Sequence, residues 1–168
     1  RSAIMLRQGL ASRKVFSGRG LRTDQLATLV ARKAEQLSAD AVFVDQTGVG
    51  AGVLDQLLKT RHPAIGVSFA HAPEDKERFV NRRVELWWRM KEWIELGPVM
   101  ERDADLRDDL VAPEYFTTDG GKIQLESKDD MRKRGLASPD LGDALALTFA
   151  RPIGKSRLRE EMAAPYNP

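Results

Sequence analysis

Ala41-Val42-Phe43-Val44-Asp45-Gln46-Thr47-Gly48-Val49-Gly50 is the stretch that decides the fold class of this chain. Ala41 to Val44 are apolar without alternation, the pattern of a strand covered on both faces. Asp45 closes the run, and a carboxylate at the end of a buried strand is costly unless a cation or a hydrogen-bond donor compensates it. The glycine turn Gly48-Val49-Gly50-Ala51-Gly52 then feeds a helix carrying Val53, Leu54, Leu57 and Leu58. Asp45 thus stands beside a glycine turn at the carboxyl end of a strand, where open α/β sheets place their ligands. The competing assignment is an acid that caps the next helix or accepts from turn amides.

A second acidic stretch lies far away in sequence, Ser138-Pro139-Asp140-Leu141-Gly142-Asp143, followed by the apolar run Ala144 to Phe149. The i, i+3 spacing puts Asp140 and Asp143 on one helical face. Acids in a first helical turn also favour the macrodipole, so this pair alone does not define a site. Strand-end and helix-start carboxylates that converge make oxygen-ligand sites for Mg²⁺ or Mn²⁺. Such a site points to metal-assisted phosphodiester chemistry.

Outward from these stretches, Ala3 to Leu6 and Lys14 to Phe16 read as a hairpin, and Thr23 as the N-cap of a helix carrying Leu26, Val30 and Leu37. Ala64 to Phe69 reads as another strand. The longest helix is expected over 79–96, ended by Gly97-Pro98, with Val80, Val84, Trp87, Trp88 and Ile94 on its apolar face. A shorter helix follows over 104–111. Tyr115-Phe116-Thr117 and Lys122 to Leu125 form a hairpin around Asp119-Gly120-Gly121, and Lys128 to Arg134 a short helix before Gly135. The last helix starts with Ser138 as cap and Pro139 in its first position. Strands alternating with helices predict an α/β fold with a sheet flanked by helices.

Composition narrows the classes. The chain has 168 residues, 42% hydrophobic and 31% charged, the balance of one globular domain. No apolar stretch approaches the roughly 18 residues of a membrane helix, so no membrane partner is expected. Cysteine is absent, which removes disulfides, thiolate zinc sites and cysteine nucleophiles. Net charge is +2, with basic clusters at Arg82-Arg83 and Arg132-Lys133-Arg134 that suit a polyanion or an ordinary solvated surface. The glycine turn departs from G-x-G-x-x-G and no P-loop pattern occurs, so nucleotide binding is not supported. The three tryptophans read as core, and His62 and His71 as surface residues. The chain begins at Arg1 without Met, as a processed product or excised domain would.

Val42 to Gly50 and Ser138 to Leu147, with Asn81-Arg82-Arg83-Val84-Glu85-Leu86-Trp87 and Leu125 to Gly135 between them, resemble in order the nuclease domain of tailed-bacteriophage terminase large subunits. The resemblance spans roughly residues 1–151, with 152–168 expected to be a polar flexible tail. It implies a ribonuclease H-like mixed sheet flanked by helices, with its first strand missing or truncated. It also implies a metal-dependent endonuclease that cuts concatemeric double-stranded DNA with two Mg²⁺ or Mn²⁺ ions. On that basis Asp45 and Asp143 are metal-binding catalytic acids and Asp140 an additional ligand. Lys128, Arg132, Lys133 and Arg134 are expected to contact DNA phosphates. The family's first acid lies on the strand before the hairpin, so the cage is incomplete and this chain is expected to be weakly active or inactive. Expected partners are an ATPase domain of the same full-length chain, the small terminase subunit and the portal, in the cytoplasm of a bacterial host at the procapsid. Alternatives are a ribonuclease H-like module that grips DNA or portal without cutting, and a junction-resolvase-like nuclease.

Overall fold

The computed structural model describes residues 1–153. Of the tail expected over 152–168, the residues from 154 on lie outside the described residues. The chain opens with a hairpin, β1 (Ser2–Gln8) and β2 (Ala11–Gly18), turning at Gly9-Leu10, where Gly9 adopts φ 55°. Both strands run further than the apolar residues alone suggest, taking in polar residues such as Arg7, Ser12 and Arg13. Helix α1 (Thr23–Gln36) follows, then β3 (Phe43–Asp45), α2 (Val49–Lys59) and β4 (Ile65–Val67). Thr23 is the first helical residue and not the cap. The cap position is Arg22, whose amide donates to the Gln25 side chain at 3.0 Å.

Helix α3 spans Arg82–Glu95, shorter than expected, because Asn81 caps it by accepting from the Val84 amide at 3.1 Å. Phe79 and Val80 precede it, Phe79 in an isolated bridge to Ile123 and Val80 in a bend. Val80 therefore leaves the apolar face and is exposed. A short strand, β5 (Val99–Met100), follows the Gly97-Pro98 stop and pairs parallel with the start of β2. Two residues carry too little pattern for sequence reading to find it. Then come α4 (Ala104–Val111), the hairpin β6 (Tyr115–Thr117) and β7 (Ile123–Leu125), α5 (Lys128–Lys133) and α6 (Asp140–Leu147).

The strands form three pieces among the described residues: β1-β2-β5, β3-β4 and β6-β7. The first piece mixes antiparallel and parallel pairing, and β3 runs parallel to β4. The expected sheet is thus divided, and β1 and β3 share no ladder. One core joins Leu86, Trp87, Met90 and Trp93 of α3 to Leu145, Ala146 and Leu147 of α6, with Val67 and Phe69. A second seals α1 on α2 through Ala27, Ala31, Val53 and Leu57. Burying a side chain such as Leu145, at 0% exposure, contributes about 1.5–3 kcal/mol. The first core fixes α6, and with it Asp140 and Asp143, against α3. Among the described residues no helix is long and apolar enough to cross a membrane.

Candidate active site

Asp45 is the last residue of β3 and is partly buried. Its Oδ1 accepts from the Thr47 amide at 3.0 Å and the Thr47 hydroxyl at 2.7 Å. This is the turn-amide role weighed above, and it engages one oxygen only. The glycines beyond it do not form a loose turn. Gly48 caps α2 with φ 55°, while Gly50 and Gly52 already lie in the helix. A Cβ on Gly50 would sit 1.7 Å from the Asp45 carbonyl oxygen, so glycine is what lets α2 start against the end of β3.

Asp143 lies in the first turn of α6 and is only 5% exposed. Its Oδ1 accepts from the Trp87 indole at 2.8 Å and from Arg83 Nε at 3.0 Å. Its Oδ2 stands 2.7 Å from Lys128 Nζ, but the alignment makes an ion pair and no hydrogen bond, so that buried oxygen lacks a hydrogen-bond partner. Arg83 is tied further to the Glu126 carbonyl at 3.1 Å and lies over the Trp87 ring. Arg83 and Trp87, four residues apart on α3, therefore fix the carboxylate, a role the sequence reading missed. Trp87 read only as core, which its burial also satisfies; the signal was the i, i+4 spacing of a cation and an indole donor.

The start of α6 is held differently from expectation. Pro139 occupies the cap position and Asp140 is the first helical residue, so Ser138 is not the cap. The Leu141 amide instead donates to Asp109 Oδ2 of α4 at 2.7 Å. Burial pushes the Asp109 carboxyl above its ordinary range, opposed by the Leu141 and Gly142 amides. A carboxylate from another helix thus does the capping, which no local pattern reveals.

Asp45, Asp140, Asp143 and Lys128 line one cavity of about 680 Å³. Yet no three acids or histidines among the described residues gather closely enough to enclose a metal ion. The remaining basic candidates are paired locally. Arg132 contacts Asp129, Lys133 lies 2.7 Å from Asp130, and Arg134 bridges Glu126 at 2.6 Å and Glu114 at 3.1 Å. His62 stacks its polar contacts on Thr60 and Glu35, and His71 is exposed.

No protein-family model matches the sequence, and no curated protein does. Solved structures do match. The nuclease domain of the large terminase subunit of bacterial virus Sf6 superposes with a TM-score of 0.74 at 20% identity, over 87% of this chain and 80% of that one. A lysine-to-alanine variant of that domain with manganese gives 0.74 and 20%, over 87% and 81%. The same variant with manganese and beta-thujaplicinol gives 0.73 and 19%, over 87% and 80%. The chain therefore has the ribonuclease H-like α/β fold seen in the nuclease domain of a phage large terminase subunit.

Proposed function

We propose that this chain is the metal-dependent endonuclease domain of a viral DNA-packaging terminase, cleaving concatemeric double-stranded DNA. The observation that carries this reading is Asp143: its buried Oδ2 has no hydrogen bond and faces only the Lys128 ammonium, and the residue lines the same cavity as Asp45 and Asp140. Hydrogen-bonding rules leave few such atoms without a function. The fold supports a nuclease, and the manganese in two matching structures supports a hard divalent ion as partner.

The donors fit Mg²⁺ or Mn²⁺ in kind, since all are carboxylate oxygens. They fall short in number of a closed cage, in line with the further acid that the family resemblance implies. Asp45, Asp143 and Asp140 would hold the ions. Two bound ions supply an activated water and stabilise the departing 3′ oxygen. The chain's own residues set the frame for that chemistry. Thr47 fixes Asp45, Arg83 and Trp87 fix Asp143, and the α3–α6 core holds the acidic helix face in place. Lys128 and the 132–134 cluster would meet phosphates, exchanging their present carboxylate partners for the DNA backbone. Backbone contacts carry little base information, so sequence preference should be low.

Asp45→Asn and Asp143→Asn should each abolish Mn²⁺-dependent nicking of supercoiled plasmid by a form carrying the complete acid set. Undiminished nicking by either variant overturns the assignment. The chain of 168 residues alone should cut weakly. Duplex retention in a gel shift, with no cutting at any Mn²⁺ concentration in any form, would assign it to the gripping class instead.

A further inference from the structure

Helix α6 is held at both ends by side chains of other elements. Just past its C-terminal end, Arg7 of β1 donates to the Thr148 carbonyl at 2.9 Å and Arg89 of α3 to the Phe149 carbonyl at 3.3 Å. Arg82 of α3 donates to the Ala150 carbonyl. At the N-terminal end, Pro139 in the cap position brings no side-chain acceptor. The Leu141 amide donates instead to Asp109 Oδ2 at 2.7 Å, and the Gly142 amide adds to the stabilisation of that charge. Guanidinium groups at one end and a carboxylate at the other both align with the helix dipole.

The backbone that Asp109 holds lies between the two acids of this helix. Asp140 and Asp143 flank Leu141-Gly142, so a shift of those amides carries both carboxylates with it. Gly142 is the point of closest approach. A Cβ there would stand 2.6 Å from the Trp87 ring and 3.4 Å from the Asp109 carbonyl oxygen, so the α6 backbone lies directly against α3 and α4. The same Trp87 donates its indole hydrogen to Asp143 Oδ1 at 2.8 Å, a geometry that a displaced helix start would lose. Helix α4 is itself anchored away from α6, through Asp103 on Lys14 of β2 and Asp105 on Arg1 at 3.0 Å. Asp109 is buried and stands outside the lining of the acid cavity.

We infer that Asp109 is a positioning residue for the acids of α6: acting through the Leu141 and Gly142 amides, it sets where the helix starts. It thereby sets where Asp140 and Asp143 present their oxygens to a divalent ion. The ion rests on the nuclease reading, whereas the geometry rests on the packing of α4, α3 and α6 alone. Groups that hold a ligand in place from behind are commonly as sensitive as the ligand itself.

The test uses the intact chain and two readouts: exchange of the tryptophan indole hydrogens by NMR, and Mn²⁺ affinity from the electron paramagnetic signal of free Mn²⁺. Asp109→Ala should speed exchange of the Trp87 indole about tenfold. The Trp93 indole, which donates to the Gly9 carbonyl in the same core, should not change. Mn²⁺ binding should weaken about tenfold. Asp109→Asn, whose amide oxygen still accepts from Leu141, should restore both readouts to within about twofold of the parent. Asp103→Ala removes the cap at the opposite end of α4 and should move neither. Unchanged Trp87 exchange in Asp109→Ala overturns the inference, as does faster exchange with unchanged Mn²⁺ affinity. Equal acceleration at Trp87 and Trp93, or the same effect from Asp103→Ala, overturns it in favour of general loosening. Failure of Asp109→Asn to rescue overturns it in favour of a long-range charge effect. A parent that binds no Mn²⁺, with Trp87 exchange still following the Asp109 variants, overturns the nuclease reading and supports the positioning.

Discussion

Lys128 holds its ammonium nitrogen 2.7 Å from Oδ2 of Asp143, the oxygen proposed above as a metal ligand. Two cations would repel each other at that oxygen, so Lys128 would compete with an ion bound there. Lys128 is 40% exposed, and such a half-solvated pair is worth about 1 kcal/mol. Lys128→Ala should therefore tighten Mn²⁺ binding about fivefold in the absence of DNA, measured by calorimetry or by the electron paramagnetic signal of free Mn²⁺. Unchanged or weaker affinity would show that the lysine does not compete.

Asp109 governs α6 from outside it. Asp109→Ala leaves the Leu141 amide without its acceptor and should cost about 1–2 kcal/mol in urea unfolding. Its pH behaviour has a defined sign. Because burial raises the native carboxyl pKa, the folded chain binds this proton more readily than the unfolded one. Its contribution is full below the ordinary aspartate pKa and is lost as pH rises through the raised native value. Asp109→Asn keeps an acceptor but no titration, so as pH rises above the ordinary aspartate range its stability should decline less steeply than the parent's. An identical slope in parent and variant would show that Asp109 titrates no differently on unfolding.

Gly50 is the contact that sets Asp45 against α2. Adding a methyl 1.7 Å from the Asp45 carbonyl oxygen cannot be absorbed by a side-chain rotation, since the neighbour is backbone. Gly50→Ala should cost about 1–3 kcal/mol in stability as β3 and α2 separate. Gly120→Ala, whose new methyl would meet nothing closer than 3.9 Å, is the control and should melt close to the parent. Equal melting temperatures for both variants would mean that the β3–α2 junction yields freely.

What could be read in the sequence follows from where the information sits. The run to Asp45, the α6 acids and the main helices were legible because apolar periodicity and turn residues are local. α4 matched its expected bounds for that reason, and the capping by Asn81 explains why α3 starts three residues after Phe79. β5 and the capping of α6 by Asp109 were not legible, because each depends on a partner distant in sequence. The same holds for the site. Asp45, Asp140 and Asp143 stood out as residue types, and the structure lines one cavity with them. Which donors clamp Asp143, and that Lys128 reaches it, required the packing of α3 and α5. The basic run 132–134 looked like a free patch until its acids at 129, 130, 114 and 126 came beside it.

Glu85 shows how the loop leading into α3 is held. Only 1% exposed, it accepts from the Glu74 amide at 2.9 Å and the Asp75 amide at 3.3 Å, and pairs with Arg82 at 2.7 Å and Arg89 at 3.0 Å. A buried carboxylate this well compensated costs little while intact, but its removal takes the acceptor from two amides and leaves Arg82 and Arg89 with the exposed Glu74 as their remaining carboxylate partner. Arg82 is the more sensitive partner, with a side chain 11% exposed and a further bond to the Ala150 carbonyl after α6. Glu85→Ala should lower stability by about 3–5 kcal/mol and speed hydrogen exchange at the Glu74 and Asp75 amides first. Arg89→Ala should cost far less, because the Arg89 side chain is 31% exposed and Arg82 still compensates the carboxylate. Equal losses for the two variants would place the weight on the helix-face ion pair, and exchange unchanged at 74 and 75 would show that the loop is anchored elsewhere.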